Sequence, residues 1–172
     1  MNQCYENYFY DKDNKWENKL GILEVKWSTL INKIICEDYY PSEDEKTILK
    51  EFAMFQKNRT KYHSEELKSL IWTNLKVGIE LEFNSKNKYF DELEFEKLKD
   101  DVIQESLEMS RSACKHINDL ELCIIKYNTK KKLISSDNPI INYNNLYFRS
   151  TGYDNAGIII FFPISSEILI VI

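Results

Sequence analysis

Glycine and proline are scarce in this sequence, with four and three residues among 172. Because these two residues interrupt helices and strands, their scarcity predicts long regular elements joined by few loops. The glycines also do not form the spaced clusters of Walker loops or dinucleotide-binding turns, and no His-Glu-x-x-His motif is present. The common nucleotide-binding and zinc-hydrolase classes are therefore disfavoured. The sequence does not exclude a binding site that is built without glycines.

Histidine and cysteine are too few and too scattered to predict a metal site. The two histidines, His63 and His116, are isolated, and no two of the four cysteines have the spacing of zinc ligands. Reduced thiols in a cytoplasmic protein are the simplest interpretation. No signal peptide is expected at the start of the chain, because Met1 leads into acidic and aromatic residues.

Positive charge is also in deficit, since 23 basic residues stand against 28 acidic ones and give a formal net charge of -5. That balance disfavours a broad basic surface, so nucleic acid is a partner that the net charge does not support.

The apolar stretches 158–162 and 168–172 are separated by Pro163 and three polar residues, and neither could span a bilayer. We expect no membrane segment, and the sequence does not identify a partner.

The first two thirds of the chain carry helical patterns. From about Trp16 to Cys36, apolar residues recur every three or four positions, which predicts one apolar helix face. Ser42 and Glu45 have the spacing of a capping box at the start of a second helix. Two further helices are predicted over about 65–82 and 91–117, giving about four in all.

Strand patterns follow residue 118. The apolar run 120–127 is predicted to form a hairpin with 132–135 around Lys130–Lys132, residues 142–157 are expected to be rich in loops, and the last two apolar runs predict buried strands. Helices first and strands last predict an α+β fold, with a helical N-terminal portion packed on a small, mainly antiparallel C-terminal sheet. Residues 1–172 are expected to form a single domain, either complete or a shortened form of a longer protein.

The segment Ser135-Ser136-Asp137-Asn138-Pro139 has the highest density of chemically useful groups. Asp and Asn favour turns by bonding their own backbone, and proline stiffens the chain after them. Such a bend could direct a carboxylate, an amide and two hydroxyls to one point, which makes Asp137 and Asn138 candidate catalytic residues and Ser136 a candidate substrate ligand. The alternative is an Asx turn ahead of Pro139.

Three polar residues on the first two helices complete the candidate site. Glu24 falls within the apolar stripe, where a carboxylate needs a partner or access to solvent. Gln56 and Arg59 share a helix face with Phe52 and Phe55, and an arginine can bind a carboxylate or a phosphate through its planar fork. Alternatively, Glu24 lies at the wet margin of the stripe and Arg59 neutralises the dipole at a helix C-terminus.

Several motifs occur in a recognisable order: Leu23-Glu24, Gln-x-x-Arg-Thr at 56–60, Ser-Ser-Asp-Asn-Pro at 135–139 and Phe-Pro-Ile-Ser at 162–165. In this order they resemble an uncharacterised family, domain of unknown function 4238, over about Tyr8 to Ile170. The resemblance implies no reaction. Relatives usually begin with a His-Tyr-x-Pro-type segment that this chain lacks, so the site would be incomplete if that histidine belongs to it.

Two functions are compatible with these residues. In the first, Glu24, Arg59, Asp137 and Asn138 form the catalytic site of a nuclease-like hydrolase of a phosphate-containing substrate, which Gln56 and Ser136 bind. The two carboxylates would hold Mg²⁺ or divide the acid and base roles, while Arg59 binds the phosphate. In the second, the same residues form a structural ion-pair network in a non-catalytic binding module. The sequence does not decide whether the protein is an enzyme.

Overall fold

The computed structural model describes residues 15–37, 39–60, 63, 65–67, 69–70, 73, 106–146 and 152–172. Within these residues, helices occupy the N-terminal part and a four-stranded antiparallel sheet occupies the C-terminal part, which confirms the predicted α+β class. Helical structure occurs in helix α1 (Lys15–Cys36), in helix α2 (Glu43–Asn58), within 63–73 and at 106–116. Of the helices described, none is long and apolar enough to cross a membrane.

Helix α1 buries one face because its apolar residues repeat with the helical period. Leu20, Trp27 and Ile34 are buried on this face, whereas Ile22 and Val25 are exposed. The predicted apolar stripe is therefore confirmed, and its opposite face is open to solvent.

Helix α2 begins with the predicted capping box. The Glu45 N–H donates to Ser42 Oγ over 3.4 Å, and the Ser42 N–H donates to the Glu45 carboxylate over 2.9 Å. The Tyr39 hydroxyl donates to the same carboxylate. These bonds pair N–H groups that a helix start leaves without partners, and they fix the short connection from α1 to α2.

The strands of the sheet are, in chain order, β1 (Cys123–Lys126), β2 (Ile141–Asn144), β3 (Ile158–Pro163) and β4 (Ile168–Val171). Their order in the sheet is β1-β4-β3-β2, and every neighbouring pair is antiparallel. The two central strands are the apolar runs predicted to be buried, and most of their side chains are indeed buried. The edge strands are largely exposed.

Phe52 on α2 connects the helices to the sheet. Its ring centroid lies 5.0 Å from that of Trp27 on α1 and 5.3 Å from that of Phe162 on β3. Phe55 adds a second ring at 5.5 Å from Trp27. Because aromatic side chains bury large areas, these contacts hold α1, α2 and the end of β3 in a fixed arrangement.

Lys50 is a buried cation that joins α2 to the chain entering β1. Its Nζ donates to the carbonyls of Asn118 and Leu120 over 2.9 and 2.6 Å, and burial lowers its pKa. The two carbonyls lie in the connection between the helical segment 106–116 and β1, so Lys50 fixes this connection against α2.

One local prediction is wrong. Strand β1 does not form a hairpin with 132–135, which is not a strand; it pairs with β4, with Cys123 opposite Val171. Pairing with β4 extends the buried sheet, whereas Ile134 in the expected partner is 91% exposed. The described residues of 142–157 are mostly turns and bends, as predicted, but the region also contains most of β2, which pairs with β3.

The predicted helix ending near 117 is confirmed over 106–116, and helical residues occur within the predicted helix 65–82. The remainder of both predicted helices, and a short strand expected within 5–10, lie outside the described residues.

Candidate functional site

A cleft of about 650 Å³ opens where α1, the end of α2, the bend 135–139 and the end of β3 meet. Its volume is in the range of small-molecule sites. Polar side chains of Glu24, Ser28, Asn32, Gln56, Arg59, Ser135 and Ser136 line it, together with apolar side chains that include Val25, Trp27, Ile31, Phe52, Phe162 and Ile164. Four of the six residues selected from the sequence therefore share one cleft: Glu24, Gln56, Arg59 and Ser136.

Glu24 and Arg59 form an ion pair between α1 and the end of α2, in which Arg59 Nη1 donates to Glu24 Oε1. The side chain of Arg59 is 24% exposed and that of Glu24 is 51% exposed. Because solvent screens such a pair, its contribution to stability is on the order of 0–1 kcal/mol. The pair is therefore a weak structural link, and a ligand in the cleft can reach both groups.

The position of Arg59 is set by a buried polar cluster directly before it. Asn58 Nδ2 donates to Ser110 Oγ over 3.0 Å, and Ser106 Oγ donates to the Asn58 carbonyl over 2.8 Å. The Arg59 N–H completes the last turn of α2 by donating to the Phe55 carbonyl over 3.0 Å. The two serines, which we did not select from the sequence, stand four residues apart beside buried Leu107, a spacing that could have indicated them.

Polar side chains of the bend 135–139 form hydrogen bonds with the backbone of the bend itself. The Asn138 N–H lies 3.2 Å from Ser136 Oγ and 3.1 Å from Asp137 Oδ1, and Ser136 Oγ donates to the Asn138 carbonyl over 2.9 Å. Ser135 and Ser136 line the cleft, whereas Asp137 and Asn138 are not among its lining residues. The carboxylate of Asp137 thus bonds within the bend, beside the cleft.

Three buried polar atoms around the cleft have no hydrogen-bond partner within the described part of the chain. They are Trp27 Nε1, Gln56 Oε1 and Asn138 Oδ1. Trp27 and Gln56 line the cleft, and Asn138 stands between the lining residues Ser136 and Pro139. Leaving such atoms unpaired costs about 1–3 kcal/mol each. The sequence pattern had indicated Trp27 only as a core residue.

Across the described ranges, no group of three or more histidine, cysteine, aspartate or glutamate side chains could hold a metal ion. Mg²⁺ often binds through one or two carboxylates, with water and substrate phosphate completing its shell. Glu24 is the carboxylate in the described lining of the cleft that could serve in this way.

Comparison with known proteins gives a family and no reaction. A family model described as a protein of unknown function (DUF4238) matches residues 1–172. This match extends the resemblance from the order of the motifs to the entire chain. No curated protein and no solved structure matches the chain.

Proposed function

The chain belongs to the DUF4238 family, and we propose that its cleft binds and hydrolyses a phosphate-containing small substrate. The observation that carries the proposal is the Glu24–Arg59 pair, which lies in the same cleft as Ser135 and Ser136. A cation, a carboxylate and hydroxyls within one cleft are the groups that phosphoryl recognition and water activation require.

Arg59 is the proposed phosphate ligand. Its guanidinium offers several N–H donors in a planar fork that matches two phosphate oxygens, and such charge-assisted bonds are among the stronger ones in proteins. Arrival of a phosphate exchanges one anionic partner of Arg59 for another. The Glu24 carboxylate then becomes available to the attacking water.

Glu24 is the proposed general base. It accepts a proton from water as the water oxygen bonds to phosphorus, the bond from phosphorus to the leaving oxygen breaks, and that oxygen takes a proton from solvent. Mg²⁺, when bound, would neutralise charge on the phosphate. Gln56 and Ser136 contact the remainder of the substrate, while Asp137 and Asn138 act as positioning residues that hold the bend.

The direct test is the release of p-nitrophenol from p-nitrophenyl phosphate, with Mg²⁺ and with EDTA. We expect Glu24→Gln and Arg59→Gln each to reduce the rate at least about 100-fold, as loss of a general base or of a phosphate ligand does in other enzymes. Glu108→Gln and Arg111→Gln are matched controls, because these residues form an exposed ion pair on the helical segment 106–116. Equal rates in all four variants would contradict the proposal.

Two substitutions at Asp137 separate a positioning role from a catalytic one. Asp137→Asn keeps an oxygen that can accept the Asn138 N–H, so we expect it to retain most of the activity. Asp137→Ala removes that acceptor and should reduce the activity. If Asp137→Asn is as inactive as Glu24→Gln, the carboxylate charge itself is required and the positioning role is wrong.

A non-catalytic binding module is the second candidate, because Arg59 is already paired with Glu24 in the structure. A buried structural pair typically loses about 3–5 kcal/mol of stability when one partner is removed, whereas a half-exposed pair loses less than about 1 kcal/mol. Urea unfolding of Glu24→Gln and Arg59→Met distinguishes the two. A large loss in both variants would favour the structural network over the site.

The proposed setting of this function is the cytoplasm. Within the described residues, Cys36, Cys114 and Cys123 are free thiols, and free thiols are typical of reducing compartments. Fractionation of the cells that make the protein tests this placement.

A further inference from the structure

Resting on the proposed phosphate-binding function, we infer that the cleft takes a free nucleoside monophosphate. In this arrangement the phosphate binds Arg59 and the base lies on the apolar part of the cleft lining. Three independent observations narrow the chemical class of the ligand. They are the unpaired polar atoms, the apolar residues and the charge of the cleft.

The unpaired atoms favour a ligand that carries more than phosphate. Gln56 Oε1 is a hydrogen-bond acceptor and Trp27 Nε1 is a donor, and neither has a partner among the residues described. A fully ionised phosphate ester offers acceptors alone, so it cannot satisfy Gln56 Oε1. A nucleobase carries donors and acceptors on one edge, and a glutamine amide pairs well with such an edge.

The two side chains differ in their freedom to meet a ligand. Trp27 is 1% exposed and is held by the rings of Phe52 and Phe55 at 5.0 and 5.5 Å, so its indole stays in place. Gln56 is only partly buried and lines the cleft, and within the described residues its terminal amide is not held by aromatic rings. We therefore assign the first contact with the base to Gln56.

The apolar lining favours a flat base over a bare sugar. Ile31, Phe52, Phe162 and Ile164 line the cleft beside its polar groups. A sugar phosphate supplies hydroxyl donors but has no large apolar face, whereas a base buries its ring against such side chains. The cleft volume of about 650 Å³ also exceeds what an inorganic phosphate requires.

The charge of the cleft favours a monomer over a polynucleotide. Arg59 is the single cationic residue in the described lining, so one phosphate finds a charged partner there. The whole chain carries a formal charge of -5, which would repel the successive phosphates of a nucleic acid.

Titration calorimetry with AMP and ribose 5-phosphate tests the inference. We use the Glu24→Gln variant beside the wild type, because the proposed mechanism leaves that variant unable to consume AMP. AMP is expected to bind at least about tenfold more tightly than ribose 5-phosphate, and Gln56→Met should bring this ratio towards one. Arg59→Gln should weaken both phosphorylated ligands, and Arg111→Gln should match the wild type.

The outcomes separate the inference from the function on which it rests. If AMP and ribose 5-phosphate bind equally tightly and both stop binding in Arg59→Gln, the assignment of a nucleotide ligand is wrong. Binding of a phosphate by Arg59 is still supported in that case. Tighter binding of a short oligoadenylate than of AMP would overturn the choice of a monomer. Failure of AMP and ribose 5-phosphate to bind at all would overturn both the inference and the proposed function.

Discussion

The side-chain amide of Asn58 and the hydroxyl of Ser110 share a buried hydrogen bond of 3.0 Å. Ser110 Oγ donates in turn to the Ser106 carbonyl over 3.2 Å. The bond joins the end of α2 to the helical segment 106–116, one residue before Arg59. Because Arg59 lines the cleft, the geometry of the site depends on packing that lies behind it.

Ser110→Ala should destabilise the protein because it leaves Asn58 Nδ2 buried without its acceptor. We expect the free energy of unfolding to fall by about 1–3 kcal/mol. Ser112→Ala, on the exposed side of the same helical segment, should change it by less than about 0.5 kcal/mol. Urea unfolding followed by circular dichroism measures both, and equal losses would contradict a role for the buried bond.

The capping box at the start of α2 makes stability depend on pH. The hydrogen bond from the Tyr39 hydroxyl lowers the pKa of Glu45, with the Ser42 N–H as a second cause. The ionised Glu45 carboxylate therefore stabilises the folded protein fully above the ordinary carboxyl pKa of about 4.3. This stabilisation is lost as the pH falls through the lower pKa that Glu45 has in the folded protein.

Glu45→Gln should accordingly be less stable than the wild type at pH 7, with the difference disappearing towards pH 3. Thermal unfolding across this pH range gives the comparison. Asp44→Asn is the control, since Asp44 is an exposed residue in the same first turn of α2. A difference between wild type and Glu45→Gln that stays constant with pH would exclude the carboxylate as its source.

The helices and central strands could be predicted because their signals are local. The spacing of Leu20, Trp27 and Ile34 indicates a helix face directly, and the Ser42–Glu45 pattern identifies a helix start. The partner of β1 could not be predicted in this way. Adjacency along the chain favoured 132–135, whereas the buried sheet is extended by pairing with β4, more than 40 residues from β1.

The candidate site likewise contains features that the sequence identifies and features that it does not. Glu24, Gln56 and Arg59 could be selected because a polar group on an apolar helix face is visible in the sequence, and Ser136 because it belongs to the polar segment 135–139. All four line one cleft.

The orientation of Asp137 was not visible, since the choice between an outward carboxylate and an Asx turn depends on backbone angles. Its carboxylate accepts from the N–H of the next residue, Asn138, whereas an Asx turn needs the N–H two residues on, which Pro139 lacks. The turn is made instead by Ser136 Oγ, which accepts from the Asn138 N–H two residues on.

Two glycines should respond in opposite directions to alanine. Gly157 has a φ of 80°, and a Cβ there would lie 2.8 Å from Leu146 Cγ. Gly157→Ala should therefore destabilise the protein by more than about 1 kcal/mol. Gly21 lies within α1, and a Cβ added there would face open space among the residues described, so Gly21→Ala should stabilise the protein by about 0.5–1 kcal/mol. Melting temperatures that move in the same direction would contradict this assignment.

The thiol of Cys114 should react far more slowly than those of Cys36 and Cys123. Burial raises the pKa of Cys114 to about 11, whereas the other two residues are exposed. At pH 8.5 an ordinary thiol is about half ionised, so Cys114 should carry roughly 100-fold less thiolate, which is the reactive form. Iodoacetamide labelling with peptide mass spectrometry measures the three rates, and labelling in urea is the control in which they should converge.

The same burial links Cys114 to stability at alkaline pH. The pKa of the Cys114 thiol is higher in the folded protein than in the unfolded chain. The contribution of the protonated thiol to the free energy of unfolding is therefore complete below about pH 8.5 and is lost as the pH rises towards 11. Cys114→Ala should therefore lose less stability than the wild type between pH 8.5 and 10.5, whatever its stability at neutral pH. Parallel decreases in the two proteins, or labelling of Cys114 as fast as Cys36, would show that the thiol is not shielded.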